Sequence, residues 1–203
     1  MKNTEKFWDR MANQFDKQAG NFEQPPIERS KKYLNAHDVV LDYGCATGTT
    51  AIEIAANVKK IYGIDISSKM IDAAKRKADE LGIENIDFVK SDIFDDRFKK
   101  ESFDVILAYN ILHLLEDPVN NLRRINELLK PGGLIITVTA CMGEKTLLRL
   151  LLFLLMKTGL VPDMKFFKTT ELEELISDSN FQIIEKESLN NSPLEHFIVA
   201  KKK

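Results

Sequence analysis

Two hydrophobic rhythms alternate along this chain. Short runs of β-branched and large apolar residues recur at Val39-Val40-Leu41, Ile61 to Ile64, Ile86 to Val89, Val105-Ile106-Leu107-Ala108 and Leu134-Ile135-Ile136. Runs apolar on both faces are what strands inside a parallel sheet require. Between them the spacing changes to that of helices. Met70, Ala74, Ala78 and Leu81 share one helical face, and Leu122, Ile125, Leu128 and Leu129 share another. The pattern predicts strands over 38–43, 60–66, 86–89, 103–108 and 134–139, with helices from Thr50 to about Val58, over 67–81 and over 118–129. Phe181 to Lys186 and His196 to Ala200 read as two final strands joined by a polar loop. Strands alternating with helices point to a doubly wound α/β sheet.

Start and stop signals agree with this reading. Ser67 caps one helix and Gly82 stops it; Asp117-Pro118 pairs a cap with a proline at the first helical position. Lys130-Pro131-Gly132-Gly133 reads as a break before the fifth strand, and Thr170…Glu173 as a capping box. Ahead of the first strand, residues 4–19 form an amphipathic pattern with Phe7, Met11 and Phe15 on one face. Gly20 to Pro26 is a polar, proline-ended break, after which a helix runs to about Asn35.

Thr146 to Met156 departs from every other segment. Its apolar residues are interrupted only by Arg149. An all-round apolar helix is usually buried or covered, and this one is too short to span a bilayer. Three readings stay open: a packed helix, a lid over a hydrophobic substrate, or a surface that touches a membrane or a second subunit.

Bulk numbers narrow the class. The chain has 203 residues, 44% hydrophobic and 30% charged, with a formal net charge of −2 and a sequence pI near 6.0. This fits one globular domain and gives no global basic field for nucleic acid. Two cysteines, Cys45 and Cys141, make no disulfide framework. With no apolar signal-peptide core at the start, a reducing, cytoplasmic setting is expected. His37, His113 and His196 are scattered, and no metal-ligand spacing occurs.

The candidate chemistry gathers at predicted strand ends. Val39 to Thr49 reads as strand, glycine turn and helix start, with Gly44 and Gly48 permitting a tight turn and close backbone approach. Thr47 and Thr49 can cap the helix, whose N-terminus attracts a polar or anionic group. Asp65, 23 positions after Asp42, ends the second strand. An acid so placed can accept from ribose hydroxyls. Asp92 follows the third strand, and Asn110 and His113 follow the fourth. A dinucleotide loop would read Gly-x-Gly-x-x-Gly; here the spacing is Gly44-x-Ala46-x-Gly48, preceded by the acid Asp42.

That loop resembles motif I of the class I methyltransferases that use S-adenosylmethionine (SAM), with Ala46 in place of the middle glycine. Gly-Ile-Asp-Ile-Ser-Ser-Lys-Met-Ile, Ser-Asp-Ile, Phe-Asp-Val-Ile…Asn-Ile-Leu-His and Leu-Leu-Lys-Pro-Gly-Gly-Leu-Ile-Ile follow in the order of that family's later motifs. The resemblance covers about residues 4–140 and is similar to the small-molecule members. It implies a Rossmann-like sheet of seven strands, mostly parallel with a C-terminal antiparallel hairpin and helices on both faces. The whole chain is then one domain, with a helical cap over 4–36 and an apolar lid segment inserted over 141–168.

The same resemblance implies a set of SAM contacts. Asp42 serves the methionine end, Gly44, Cys45, Ala46 and Gly48 the close loop, and Asp65 the ribose. Ile66 and Met70 pack on the adenine, Asp92 recognises its amino group, and Ile93 flanks the ring. Asn110 lies near the methyl group, and His113 is a candidate general base or a residue that orders the pocket. The expected acceptor is small, and apolar or lipid-like, with no nucleic acid partner. Residues 146–167 are a possible membrane contact or dimer surface. The alternatives are a protein or RNA methyltransferase and a SAM-binding module without turnover.

Overall fold

The strands are β1 Val39–Tyr43, β2 Lys60–Asp65, β3 Ile86–Lys90, β4 Phe103–Tyr109, β5 Leu129–Ala140, β6 Phe181–Ser188 and β7 Glu195–Lys202. In the computed structural model, which describes residues 2–19, 27–189 and 195–203, they form one sheet in the order β3-β2-β1-β4-β5-β7-β6. β1 to β5 pair in parallel, and β7 runs antiparallel between β5 and β6. The chain reverses its direction of travel across the sheet between β1 and β4. In open α/β sheets, ligands bind outside the carboxyl ends of the strands at such a reversal.

The helices are α1 Lys2–Ala19, α2 Ile27–Lys31, α3 Thr49–Ile54, α4 Ser68–Glu80, α5 Pro118–Leu128, α6 Thr146–Thr158 and α7 Thr169–Asp178. Alternate residues of each central strand feed opposite faces of the sheet. Val40, Ile61, Val105, Leu107 and Val138 pack with Ala51 and Ile54 of α3 and with Ile71, Ala74 and Ala78 of α4. Leu41, Ile64, Ile106 and Ile135 pack with Leu122, Ile125 and Leu128 of α5 and with Leu172 and Ile176 of α7. Burial on both faces is why these strands carry continuous apolar runs.

Several local readings shift. α2 ends at Lys31 rather than near Asn35, and its expected start at Pro25-Pro26, with the Gly20–Pro26 break, lies outside the described residues. The Lys130–Gly133 break falls inside β5, where the pairing with β4 shifts register between Phe103 and Val105. α7 is boxed by Glu171, which accepts from the Lys168 backbone N–H at 3.0 Å. Glu173, the acid expected in that box, instead takes Lys186 Nζ at 2.5 Å and lies 3.0 Å from His196 Nε2.

Candidate cofactor site

The site is assembled from the carboxyl ends of β1, β2, β3 and β4. The loop after β1 bends back onto β2: the Gly44 and Cys45 N–H groups both donate to the Ile64 carbonyl, at 2.9 and 3.0 Å. Gly44, Ala46 and Gly48 all have positive φ, at 76°, 46° and 78°. Ala46 therefore holds the left-handed geometry expected of a middle glycine, at the steric cost a Cβ brings there. Gly48 is required on space as well. A Cβ there would lie 2.6 Å from the Phe88 ring and 2.9 Å from Ala74 Cβ.

Asp65 ties loop and strand together. One carboxylate oxygen accepts from the Ala46 N–H at 3.1 Å and the other from the Ser67 N–H at 2.8 Å. Burial pushes this carboxyl above its ordinary value against those backbone donors. Thr47 and Thr49 do not cap α3. Their hydroxyls accept from Lys77 Nζ at 3.0 and 3.1 Å, and the N-cap, Gly48, offers no side chain.

Asp42 lies deepest, 2% exposed, and its Oδ2 has no hydrogen-bond partner among the described residues. Burial first, and Asp65 second, push its pKa up to about 7. On the neighbouring strand, Asn110 adopts φ 51° and donates its backbone N–H to the Val138 carbonyl at 2.7 Å. Its Nδ2 donates to Glu195 Oε1 at 3.3 Å, while its buried Oδ1 has no partner among the described residues. His113, 8% exposed, sits in the short turn Leu112–Leu114. Burial lowers its pKa to about 4, so the imidazole is neutral at pH 7, and its buried Nδ1 is also unpartnered.

The β3 end is organised by Asp92, whose Oδ1 accepts from the Phe94 N–H at 2.8 Å. Ile93 is fully buried in the core, so its side chain offers no face to a ligand; Phe94 is the apolar side chain on this rim, 43% exposed. Ile66 is half-buried, and Met70 is packed away at 1% exposure. Cys45 likewise turns its thiol into the core, leaving its backbone to the loop. Cys141, just past β5, is buried in the core cluster on the other face of the sheet, its thiol pushed up to about 12 by burial.

α1 lies across the ends of β2 and β3. Asp9 accepts from the Ser67 hydroxyl at 2.6 Å and from the Lys69 N–H at 3.3 Å, and Glu5 pairs with Lys90 at 2.5 Å. Sequence reasoning placed this helix but not these contacts. It also missed Glu195, which carries no local signal, and Phe94, whose signal was one large apolar residue in a charged loop. Among the described residues no cluster of metal-ligating side chains occurs.

The sequence profile of a methyltransferase domain matches residues 34–194. The chain belongs to the methyltransferase-domain family. A demethylmenaquinone methyltransferase of Lactococcus lactis is 28% identical over 143 residues, covering 66% of this chain and 57% of that protein. A ubiquinone biosynthesis O-methyltransferase of Coxiella burnetii is 25% identical over 162 residues, covering 77% of this chain and 69% of that one. The chain thus spans a little over half the length of the first of these relatives. Its fold matches that of a SAM-dependent methyltransferase from Methanosarcina mazei, with a TM-score of 0.72 at 22% identity, over 89% of this chain and 99% of that one. The fold is that of class I methyltransferases, whose cofactor is SAM.

The residues present fit that cofactor. Asp42 and Asn110 leave two buried acceptors without donors at the ends of adjacent strands. SAM carries an ammonium group and a positively charged sulfur, and so offers donors and charge to acceptors that have none among the described residues.

Proposed function

We propose that this chain moves the methyl group of SAM to a small, apolar or lipid-like acceptor. The observation that carries the reading is the buried Asp42 Oδ2, without a donor among the described residues, on a strand adjacent to the one that ends just before Asn110, whose Oδ1 also lacks one. Such an acid is stable as an anion only when a cation or a donor meets it. Asp42 and Asn110 would hold the amino-acid end. The Gly44–Gly48 loop, Cys45 and Ala46 included, would lie against the cofactor through its backbone. Asp65 would take the ribose, and Asp92 and the Ile93 backbone the adenine. Ile66 and Phe94 would flank the ring, with Met70 supporting from the core.

Bound SAM would supply a methyl group on a sulfonium, a leaving group that needs no acid. The protein's part is then to align the acceptor, exclude water and take up any proton the acceptor sheds. α1 closes the ribose side through Asp9 and Ser67. The neutral His113 imidazole keeps one ring nitrogen as a hydrogen-bond acceptor, and it becomes a general base when the methyl acceptor must lose a proton. The acceptor class rests on the apolar segment after β5 and on the two relatives named for quinone methylation.

The test begins with thermal unfolding of the purified chain in S-adenosylhomocysteine, with NAD as the comparison. Ligand at about 100 times its dissociation constant adds roughly 2.7 kcal/mol, about 5–10 °C at this size. The expected result is a shift with S-adenosylhomocysteine alone, lost in Asp42→Asn. Methyl-labelled SAM is then offered with quinols and other apolar acceptors, and label should pass into the organic phase. A shift with no transfer to any acceptor would leave a binding module; no shift in folded, cofactor-free protein would overturn the assignment of the Asp42 loop.

A further inference from the structure

α6 is set out from the body on a closed base. The Gly143 N–H donates to the Phe167 carbonyl at 2.8 Å, and the Lys165 N–H donates to the His113 carbonyl at 2.6 Å. A Cβ at Gly143 would lie 2.7 Å from the Phe166 carbonyl oxygen, so this close crossing needs glycine. Residues 144–166 therefore leave and return at nearly one point, beside the His113 turn. No residue of α6 is buried.

The helix has three distinct faces. Leu148, Leu152, Leu155 and Met156 are half-buried and share one face. Leu147, Leu150, Leu151 and Leu154, spaced i, i+3, i+4, i+7, form an outward ridge at 82, 56, 53 and 55% exposure. Arg149, Phe153 and Lys157 share the flank between them, with Lys157 Nζ 4.8 Å from the Phe153 ring centre. The segment 144–168 holds five basic and two acidic side chains, in a chain whose formal net charge is −2.

We infer that the α6 ridge docks the protein on an anionic lipid surface, with its leucines in the acyl boundary and its basic flank at the head groups. An outward apolar ridge of this extent marks an interaction surface. The concentration of positive charge beside it, against a negative remainder, is complementary to anionic head groups rather than to a second copy of the same surface. At 13 residues the helix is about 20 Å long, so it lies along the interface. No described helix is long and apolar enough to cross a membrane. Docking would set the carboxyl ends of β4 and β5, and the His113 turn, toward the lipid. The proposed acceptor class also rests on α6, but lipid docking is read out by binding alone, so its failure is distinguishable from a failure of methyl transfer.

The test is co-sedimentation of the full chain with vesicles of phosphatidylglycerol and phosphatidylcholine, against phosphatidylcholine alone, with oligomeric state measured by light scattering without lipid. Expected is a lipid-free monomer that binds the anionic vesicles and is released by salt. Arg149→Gln with Lys157→Gln should weaken partitioning roughly 25-fold, since each basic residue near such a surface contributes about fivefold. Leu147→Ser with Leu150→Ser and Leu154→Ser should abolish it while thermal unfolding stays unchanged, these side chains having little packing to lose. Equal binding to both vesicle types, or no binding, would overturn the inference. A lipid-free dimer that the leucine variant splits would assign the ridge to a second copy instead.

Discussion

The Ser67 hydroxyl donates to Asp9 on α1 at 2.6 Å while accepting from the Met70 N–H of α4 at 3.2 Å. One hydroxyl thus caps the helix after β2 and clamps the N-terminal helix over the site. That hydrogen bond is the largest influence holding the Asp9 carboxyl below its ordinary value of 3.8. Its contribution is therefore present above about pH 4 and fades as pH falls through the lowered value. Trp8 is the only tryptophan of the chain and lies edge-on to Phe7 at 5.1 Å. Trp8 emission should shift to the red in Asp9→Asn at neutral pH, and in the native chain only on acidification. Identical spectra for the two proteins at neutral pH would show that Asp9 does not hold the helix.

Asp42 makes the cofactor-free protein sensitive to pH in the opposite sense. Its folded pKa stands near 7 against an ordinary 3.8, so the folded state keeps a proton that the unfolded state gives up. Stability should fall as pH rises through that window and level off above it, by on the order of 4 kcal/mol at most. Thermal unfolding from about pH 5 to about pH 8 should show the slope in the native chain and a flatter profile in Asp42→Asn. S-adenosylhomocysteine, whose ammonium can pair with the anion, should flatten the native profile too.

His113 is neutral across the physiological range, because burial holds its pKa near 4. The rate profile of the native enzyme should show no inflection from it between about pH 6 and pH 8. With an acceptor that carries no dissociable proton, His113→Asn should keep kcat within about tenfold. With an acceptor that must lose one, kcat should fall roughly 100-fold or more. Equal losses on both acceptors would identify a positioning role alone.

The loop after β1 carries its own test. Ala46 has φ 46°, so Ala46→Gly should relieve about 1 kcal/mol of strain, less the extra freedom glycine brings to the unfolded chain. A melting temperature higher by about 1–3 °C is expected. Gly48→Ala would push a Cβ to 2.6 Å from the Phe88 ring at φ 78°. It should cost roughly 2–4 kcal/mol and lower the melting temperature by about 5–10 °C.

Sequence periodicity located the seven strands and seven α-helices of the described residues, because alternation, caps and glycine turns act between near neighbours, although β5 begins five residues before the expected 134 and α2 ends four before Asn35. The order of acids at strand ends was equally legible. The sites that shifted depend on distant partners. Thr47 and Thr49 looked like caps, yet Lys77, 28 to 30 residues further on, takes both hydroxyls. Ile93 looked like a ring contact, yet the packing of the second core cluster leaves it no surface.

By itself the sequence determined the α/β alternation, the parallel core, the glycine loop and the family, since these reside in composition and spacing along the chain. Tertiary structure alone decided that Asp42 Oδ2 and Asn110 Oδ1 are buried without donors among the described residues, that Asn110 meets Glu195 across 85 positions, and that α6 stands outside the core. The physical reason is the same in each case. Hydrogen-bond satisfaction and burial are set by which atoms the fold brings within a few ångströms, and sequence separation carries no record of that distance.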